Sequence, residues 1–271
     1  MPSALPSSAK SFRNCLLQAL ALMVCVLPVV AQGAIFDWDQ AYAVSPAASG
    51  TPTAGNSVSK SYDNDQTHST TSTVNDVTIT LANAVGTWSS PRPAVDTNYD
   101  GGTGKKALSL GFSKESNTTQ GLTVTIDFNY VGGVTNVNFQ IFDVDYSAGT
   151  WIDKIDQIWA TTTTSGTVGP SSVVGSADNV VSGTGLTFAA TGTNANSLNT
   201  SAGNVSIDFG TAKVTSITFR WRNVDNGKGD QKIGLGDINY TQVTPEVNPG
   251  LAAMALCAIA VGFRSWKGRK K

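Results

Sequence analysis

Aspartates crowd one stretch of the chain: Asp143-Val144-Asp145, then Asp153 and Asp156. Apolar alternation leads into the cluster through Phe139-Gln140-Ile141-Phe142 and resumes at Trp151-Ile152. A strand is therefore expected to end at Phe142, a loop to span roughly 146–150, and a second strand to begin near Ile152. Side chains two apart in an extended chain share a side, which puts Asp143 and Asp145 together, with Asp153 reaching the same rim from the returning strand. Hard oxygen donors converging on a loop suit Ca²⁺, which takes about six to eight of them. Carboxylates this close cannot all ionise cheaply without a cation, because like charges raise one another's pKa. The competing account is turn chemistry, in which these aspartates cap turns and solvate a loop. No EF-hand or nonapeptide motif accompanies them.

A second acidic, Gly-rich stretch runs Asp225-Asn226-Gly227-Lys228-Gly229-Asp230 and reads as a hairpin between Trp221 and Ile233. Asp237, in Gly234-Leu235-Gly236-Asp237-Ile238, is expected to complete the metal site if the two loops share one end of the fold.

Groups for catalysis are scarce. The one histidine, His68, sits in a run of Ser and Thr that suits a solvated loop, and a Ser-His-Asp triad would have to use it. Glycosidases work with two carboxylates, usually at least one Glu, and Glu115 is the only Glu between the chain's two terminal segments. Asn98-Tyr99-Asp100-Gly101-Gly102-Thr103-Gly104 is rich in glycine, yet no helix follows to cradle a phosphate, so it reads as a turn. The chain is read as non-enzymatic, a binding or structural module. Trp88, Trp151, Trp159 and Trp221 are the candidate platforms for polysaccharide, since aromatic rings stack on sugar faces. A secreted carbohydrate-active enzyme is the alternative. Eleven of the 18 Lys and Arg and 18 of the 19 Asp and Glu lie in residues 34–244, leaving that stretch at −7. A net-acidic surface repels nucleic acid, which is discarded as a partner.

Period-two alternation supplies the elements that position these groups. Val77, Ile79 and Leu81 alternate with threonines, and Leu108, Leu110 and Phe112 form the next apolar face. Leu122, Val124, Ile126 and Phe128 alternate with polar residues, as do Val137, Phe139 and Ile141 with Asn138 and Gln140. Val205, Ile207 and Phe209 follow, then Ile217, Phe219 and Trp221. Strands of this kind bury one face and wet the other. No stretch of residues 34–244 carries a sustained helical stripe, so the fold class is all-β, a β-sandwich with jelly-roll-like connections. Leu122, Val124, Ile126, Phe128, Phe139, Ile141, Ile207, Phe209, Ile217 and Phe219 are the expected core. Residues 45–61, rich in Ser, Pro, Ala, Thr and Gly, read as a loop or extended edge.

The ends read as addresses. Lys10 and Arg13 precede an apolar run from Leu16 to Val30, and Ala31-Gln32-Gly33 offers small residues for a cut after Gly33. Residues 1–33 are thus expected to be a secretory signal peptide, read by the secretion translocon. The three cysteines, Cys15, Cys25 and Cys257, belong to the terminal apolar segments, so the domain at 34–244 has no disulfide. At the other end, Pro245-Glu246-Val247-Asn248-Pro249 precedes an uncharged apolar run to Phe263 and the basic end Arg264-Ser265-Trp266-Lys267-Gly268-Arg269-Lys270-Lys271. Val247 to Phe263 is a marginal spanning helix, since about 17–25 apolar residues are needed to cross. Basic residues beyond it hold that end in the cytoplasm.

Residues 245–271 resemble the PEP-CTERM sorting signal: a Pro-Glu-Pro motif, a hydrophobic helix and an Arg-rich end. Pro245 and Glu246 match the motif; Val247 stands where its second Pro is usual, with Pro249 two residues on. The resemblance implies recognition by an exosortase, a membrane-embedded cysteine transpeptidase-like enzyme that cuts near the motif. It implies transient residence in the inner membrane, then release to the cell surface or extracellular matrix of a Gram-negative-type bacterium. The Phe142-Asp143-Val144-Asp145, Asp153-Lys154-Ile155-Asp156 and Gly234-Leu235-Gly236-Asp237-Ile238 segments also resemble an uncharacterised β-sandwich domain of PEP-CTERM-tailed surface proteins.

Overall fold

The computed structural model describes residues 33–43, 56–63, 76–83, 87–88, 93–113, 121–195, 199–225, 227 and 229–243. Residues 1–32, the segment 245–271 with Pro245, Glu246, Val247, Asn248 and Pro249, His68, Glu115 and the side chain of Trp88 lie outside them. No helix among the described residues is long and apolar enough to cross a membrane.

The described chain is all-β. Its strands are β1 (Gly33–Phe36), β2 (Tyr42–Ala43), β3 (Asn56–Asp63), β4 (Val77–Asn83), β5 (Thr87–Trp88) and β6 (Ala94–Asp96). They continue with β7 (Ala107–Ser113), β8 (Leu122–Phe128), β9 (Val134–Phe142), β10 (Tyr146–Ser147), β11 (Trp151–Thr162) and β12 (Thr167–Val168). The last six are β13 (Ser172–Gly175), β14 (Asn179–Ser182), β15 (Ala189–Gly192), β16 (Val205–Asp208), β17 (Val214–Asn223) and β18 (Gln231–Gln242). One short 3₁₀ turn, Gly185–Thr187, precedes β15.

Antiparallel pairings sort these strands into two layers. The first runs β2–β3–β4–β8–β17–β11–β15–β14. The second runs β13–β16–β9–β18, and the far edge of β18 pairs with β7 along its first half and β1 along its second. Among the described residues the layers share the pairing of Val214 with Val134. Within them, β8–β17–β11–β15 faces β7–β18–β9–β16, so the chain from β7 onward keeps crossing between layers, the connectivity of a jelly roll.

The stretch 224–230 is not a hairpin. β17 already lies between β8 and β11, and β18 between β9 and β7. Neither has an edge left for the other, so the Gly-rich segment carries the chain from one layer to the next. The 45–61 stretch includes most of β3, which pairs with β4 from Asn56 to Tyr62.

Burial follows the alternation. β8 buries Leu122, Val124, Ile126 and Phe128 and leaves Thr123, Thr125 and Asp127 half-exposed. All ten expected core residues belong to one buried cluster. Rings lock the layers together: Phe139 of the second meets Phe219 of the first at 6.1 Å, and Tyr240 meets Phe128 at 5.5 Å. In β11 a bulge between Asp156 and Trp159, with Gln157 at φ 49°, reverses the pleat. Before it Asp153 and Ile155 face inward; after it Ile158 and Ala160 do, and Trp159 turns outward.

Truncating Phe219 to Ala removes a fully buried ring and is expected to destabilise the fold by about 3–5 kcal/mol in chemical denaturation. Thr218→Ala loses a 3.2 Å hydroxyl contact with Thr125 and is expected to lose only about 0.5–1.5 kcal/mol. Equal losses would mean that Phe219 is not a core ring.

Candidate functional site

Two polar constellations stand out. The first lies where β9 ends and β11 begins. Asp143 follows β9 at φ 62°, a left-handed turn that Asp tolerates, and the chain returns through β10 into β11. Asp143, Asp145 and Asp153 are all buried, Asp153 completely. The backbones of Asp145 and Asp153 meet, Asp153 N donating to Asp145 O at 2.9 Å. Trp221 Nε1 donates to Asp153 Oδ1 at 2.9 Å, and the Asp145 amide reaches Oδ2 at 3.4 Å. Trp151 Nε1 donates to Asp145 Oδ1 at 2.8 Å.

Burial pushes the Asp143 carboxyl up to about 8, helped by the charge of Asp145 and opposed by Lys232. Asp153 is held well above the usual carboxylate range by complete burial and again by Asp145, against the bond from Trp221. Burial and the neighbouring Asp145 thus both favour the neutral form of the Asp143 and Asp153 carboxyls. Among the described residues, no group of three or more Asp, Glu, His or Cys is placed to hold a metal ion.

The other two aspartates make their bonds elsewhere. Asp156 faces outward, 2.8 Å from both Arg220 and Arg222. Burial alone would raise its pKa, but the bonds and charges of the two arginines outweigh that and hold it below the usual value. Asp237 Oδ1 accepts the Trp38 amide at 3.0 Å and Oδ2 pairs with Lys105 at 3.1 Å. That hydrogen bond raises the Lys105 ammonium pKa.

The tryptophans divide between core and surface, Trp221 following the apolar parity that its strand shows in the sequence. Trp221 is fully buried, its ring in the core and its N–H on Asp153, so it is out of reach as a sugar platform. It lies on the inward parity of β17 with Ile217 and Phe219, all three wholly buried. Trp151 and Trp159 are half-buried.

The second constellation is a groove of about 550 Å³ on the outward face of the second layer. Asn138 and Gln140 of β9, Ser206 and Asp208 of β16, Ser172 of β13, and Asp237 and Asn239 of β18 line it, with Thr103, Lys105 and Lys106 as one wall. These strand residues are the polar partners in the alternation that buries Phe139, Ile141, Ile207 and Ile238. Gln140 Nε2 donates to Ser206 Oγ at 2.9 Å, and Asn239 Nδ2 to Asn138 Oδ1 at 3.0 Å. The wall is a self-bonded loop: the Asp100 carboxylate accepts the amides of Gly102 and Gly104, each at 2.9 Å. Gly101, at φ 60°, packs so close to the Phe142 ring that any β-carbon would collide with it. The Gly-rich stretch is thus a turn, and it shapes the groove. Sequence reading missed this site because its residues come from four strands far apart in the chain.

No protein-family model matches the chain, and no curated protein matches it. Among solved structures it is similar to TmCBM27, a carbohydrate-binding module described by its specific mannan recognition, at 14% identity and a TM-score of 0.34. That match covers 60% of this chain and 89% of the module. A likeness of that strength bears on neither family nor ligand.

The buried carboxyls set a pH dependence. The unfolded value of an aspartate is about 3.9. Asp143 and Asp153 are raised in the fold, so their contribution is fully present below that value and is lost as pH rises through about 8 for Asp143. The melting temperature is expected to fall by several degrees between pH 5 and pH 9, and Asp143→Asn to flatten the decline. A melting temperature that rises over this range contradicts raised pKa values at Asp143 and Asp153.

Proposed function

We propose that this protein is an exported, non-enzymatic surface module that binds polysaccharide in the groove of the second layer. The observation that carries the reading is the groove's lining. Amides, hydroxyls and one Lys105–Asp237 pair are arrayed over an aromatic and aliphatic core. Donors and acceptors side by side suit a ligand made of hydroxyl groups, each of which donates and accepts. The amides are ordered by their own bonds beforehand, which reduces the entropy lost on binding. The groove's two carboxylates are Asp208, which accepts the Gly210 amide, and Asp237, whose oxygens face Trp38 and Lys105. Those bonds suit positioning better than acid–base exchange. The purified protein is expected to be retained on at least one polysaccharide of a mixed panel without releasing reducing sugar. Gln140→Ala should weaken retention about tenfold, a change of ~1.4 kcal/mol. Sugar release would favour the carbohydrate-active enzyme instead.

Delivery is the second part of the proposal. The leader 1–33 would pass the translocon, and 245–271 would be held briefly in the inner membrane before an exosortase cuts near Pro245–Pro249. The support is the ordered series of motif, apolar run and basic end. Mass spectrometry of the surface-located protein is expected to find no peptide from 264–271, and Glu246→Ala to leave a membrane-bound precursor. Intact 264–271 on the mature surface form would sink processing.

Calcium is the third part. We propose that Ca²⁺ binds at Asp143, Asp145 and Asp153, whose carboxyls do not converge on an ion as they stand and would have to turn toward it; Asp237, engaged by Trp38 and Lys105, is left out of this set. The support is three buried carboxyls within electrostatic reach of one another. Millimolar Ca²⁺ is expected to raise the melting temperature more at pH 8.5 than at pH 5, an effect absent in Asp145→Ala. No shift at either pH rejects the ion.

A further inference from the structure

The outward face of the second layer has a direction. Ser172, Asp208, Asn138, Asn239 and Ile35 are directly opposed partners on β13, β16, β9, β18 and β1 in turn. They form one row across five strands. Val174, Ser206 and Gln140 make a second row beside it, and Asp237 lies at the irregularity of β18 between Leu235 and Ile238. Strands sit about 4.8 Å apart, so the five-strand row is ~19 Å long. That is several times the width of one sugar ring.

The two ends of this strip differ from its middle. Val174 is 60% exposed at the β13 edge, and Ile35 is 52% exposed at the β1 edge. Both are aliphatic, on either side of a floor of amides, hydroxyls and carboxylates. Among the described residues no strand pairs beyond β13 or beyond β1, so neither end of the row is closed by the sheet. The formal charges at the groove cancel, Lys105 and Lys106 against Asp208 and Asp237.

We infer, resting on the polysaccharide reading above, that the groove takes an internal stretch of a neutral, linear glycan laid across the strands. Its hydroxyls meet the row from Ser172 to Asn239, and its apolar ring faces rest on Val174 and Ile35. Length selects for an extended chain, because a single ring covers only a fraction of the row. Open ends select for internal segments over chain termini. Charge balance leaves no net attraction for a uronic or sulfated polymer.

The test uses the purified protein and size-graded oligosaccharides cut from neutral β-1,4-glucan, β-1,4-mannan and β-1,3-glucan, with polygalacturonate as the charged comparison. Calorimetry is expected to show Kd falling at least about tenfold from the monosaccharide to an oligomer spanning the row, then levelling off. Borohydride reduction of the chain end should leave that Kd unchanged. Val174→Asp and Ile35→Asp alter exposed side chains and spare the core. Each should weaken the long oligomers about tenfold and leave the shortest unaffected. Equal affinity for monosaccharide and oligomer overturns the inference, as does loss of binding on reduction or preference for polygalacturonate; in those cases the groove still binds sugar. If the neutral polymers and polygalacturonate alike fail to bind, the polysaccharide reading itself falls.

Discussion

The contact of Phe139 with Phe219 fixes the parity of the second layer. Each ring is buried between the layers, and each belongs to a strand with period two. Once Phe139 faces inward, Ile141 must follow, and Asn138 and Gln140 must face out. A slip of one residue in β9 would place two amides in the core and two apolar side chains on the surface. The same logic passes to β16, which bonds to β9 with Ile207 opposite Phe139 and Ser206 opposite Gln140. The polar floor of the groove is the reverse side of the hydrophobic core.

Hydrophobic burial also explains the acidic end. Trp221 closes the inward face of β17, and its indole N–H needs an acceptor inside the protein. Asp153 supplies one, because the pleat of β11 ahead of its bulge turns that residue inward. Complete burial and the neighbouring Asp145 both disfavour its charged form and raise its pKa. The groove and this end therefore have different physics. One holds polar groups at the surface, bonded to one another across the strands. The other satisfies polar groups internally and raises the pKa of two buried carboxyls.

Much of the fold was legible in the chain. Alternation of Leu122 to Phe128 and of Val137 to Ile141 identified β8 and β9, and the core residues they contribute are buried. Sequence distance hid the rest. The 224–230 segment has the composition of a hairpin, but whether two strands pair depends on their other neighbours, which a local pattern does not contain. Trp221 shares the apolar parity of Ile217 and Phe219 that the sequence shows, whereas Trp159 is turned outward by the bulge at Gln157, which the alternation does not reveal. The aspartates were visible as a cluster, while their indole donors were not, since Trp221 lies 68 residues from Asp153. The groove had no local signature at all. Asn138, Gln140, Ser206 and Asn239 each look like an ordinary wet position of a strand, and only the layer order brings them together.

The central claim is that polysaccharide meets the outward face of the second layer. Backbone amide chemical shifts, followed by NMR as a retained neutral oligosaccharide is titrated in, locate the contact directly. The account predicts perturbations concentrated at Asn138, Gln140, Ser206, Asp208 and Asn239, with those of Thr125, Thr218 and Trp159 on the outer face of the first layer unmoved. Perturbations centred on Thr125, Thr218 and Trp159 instead would contradict it.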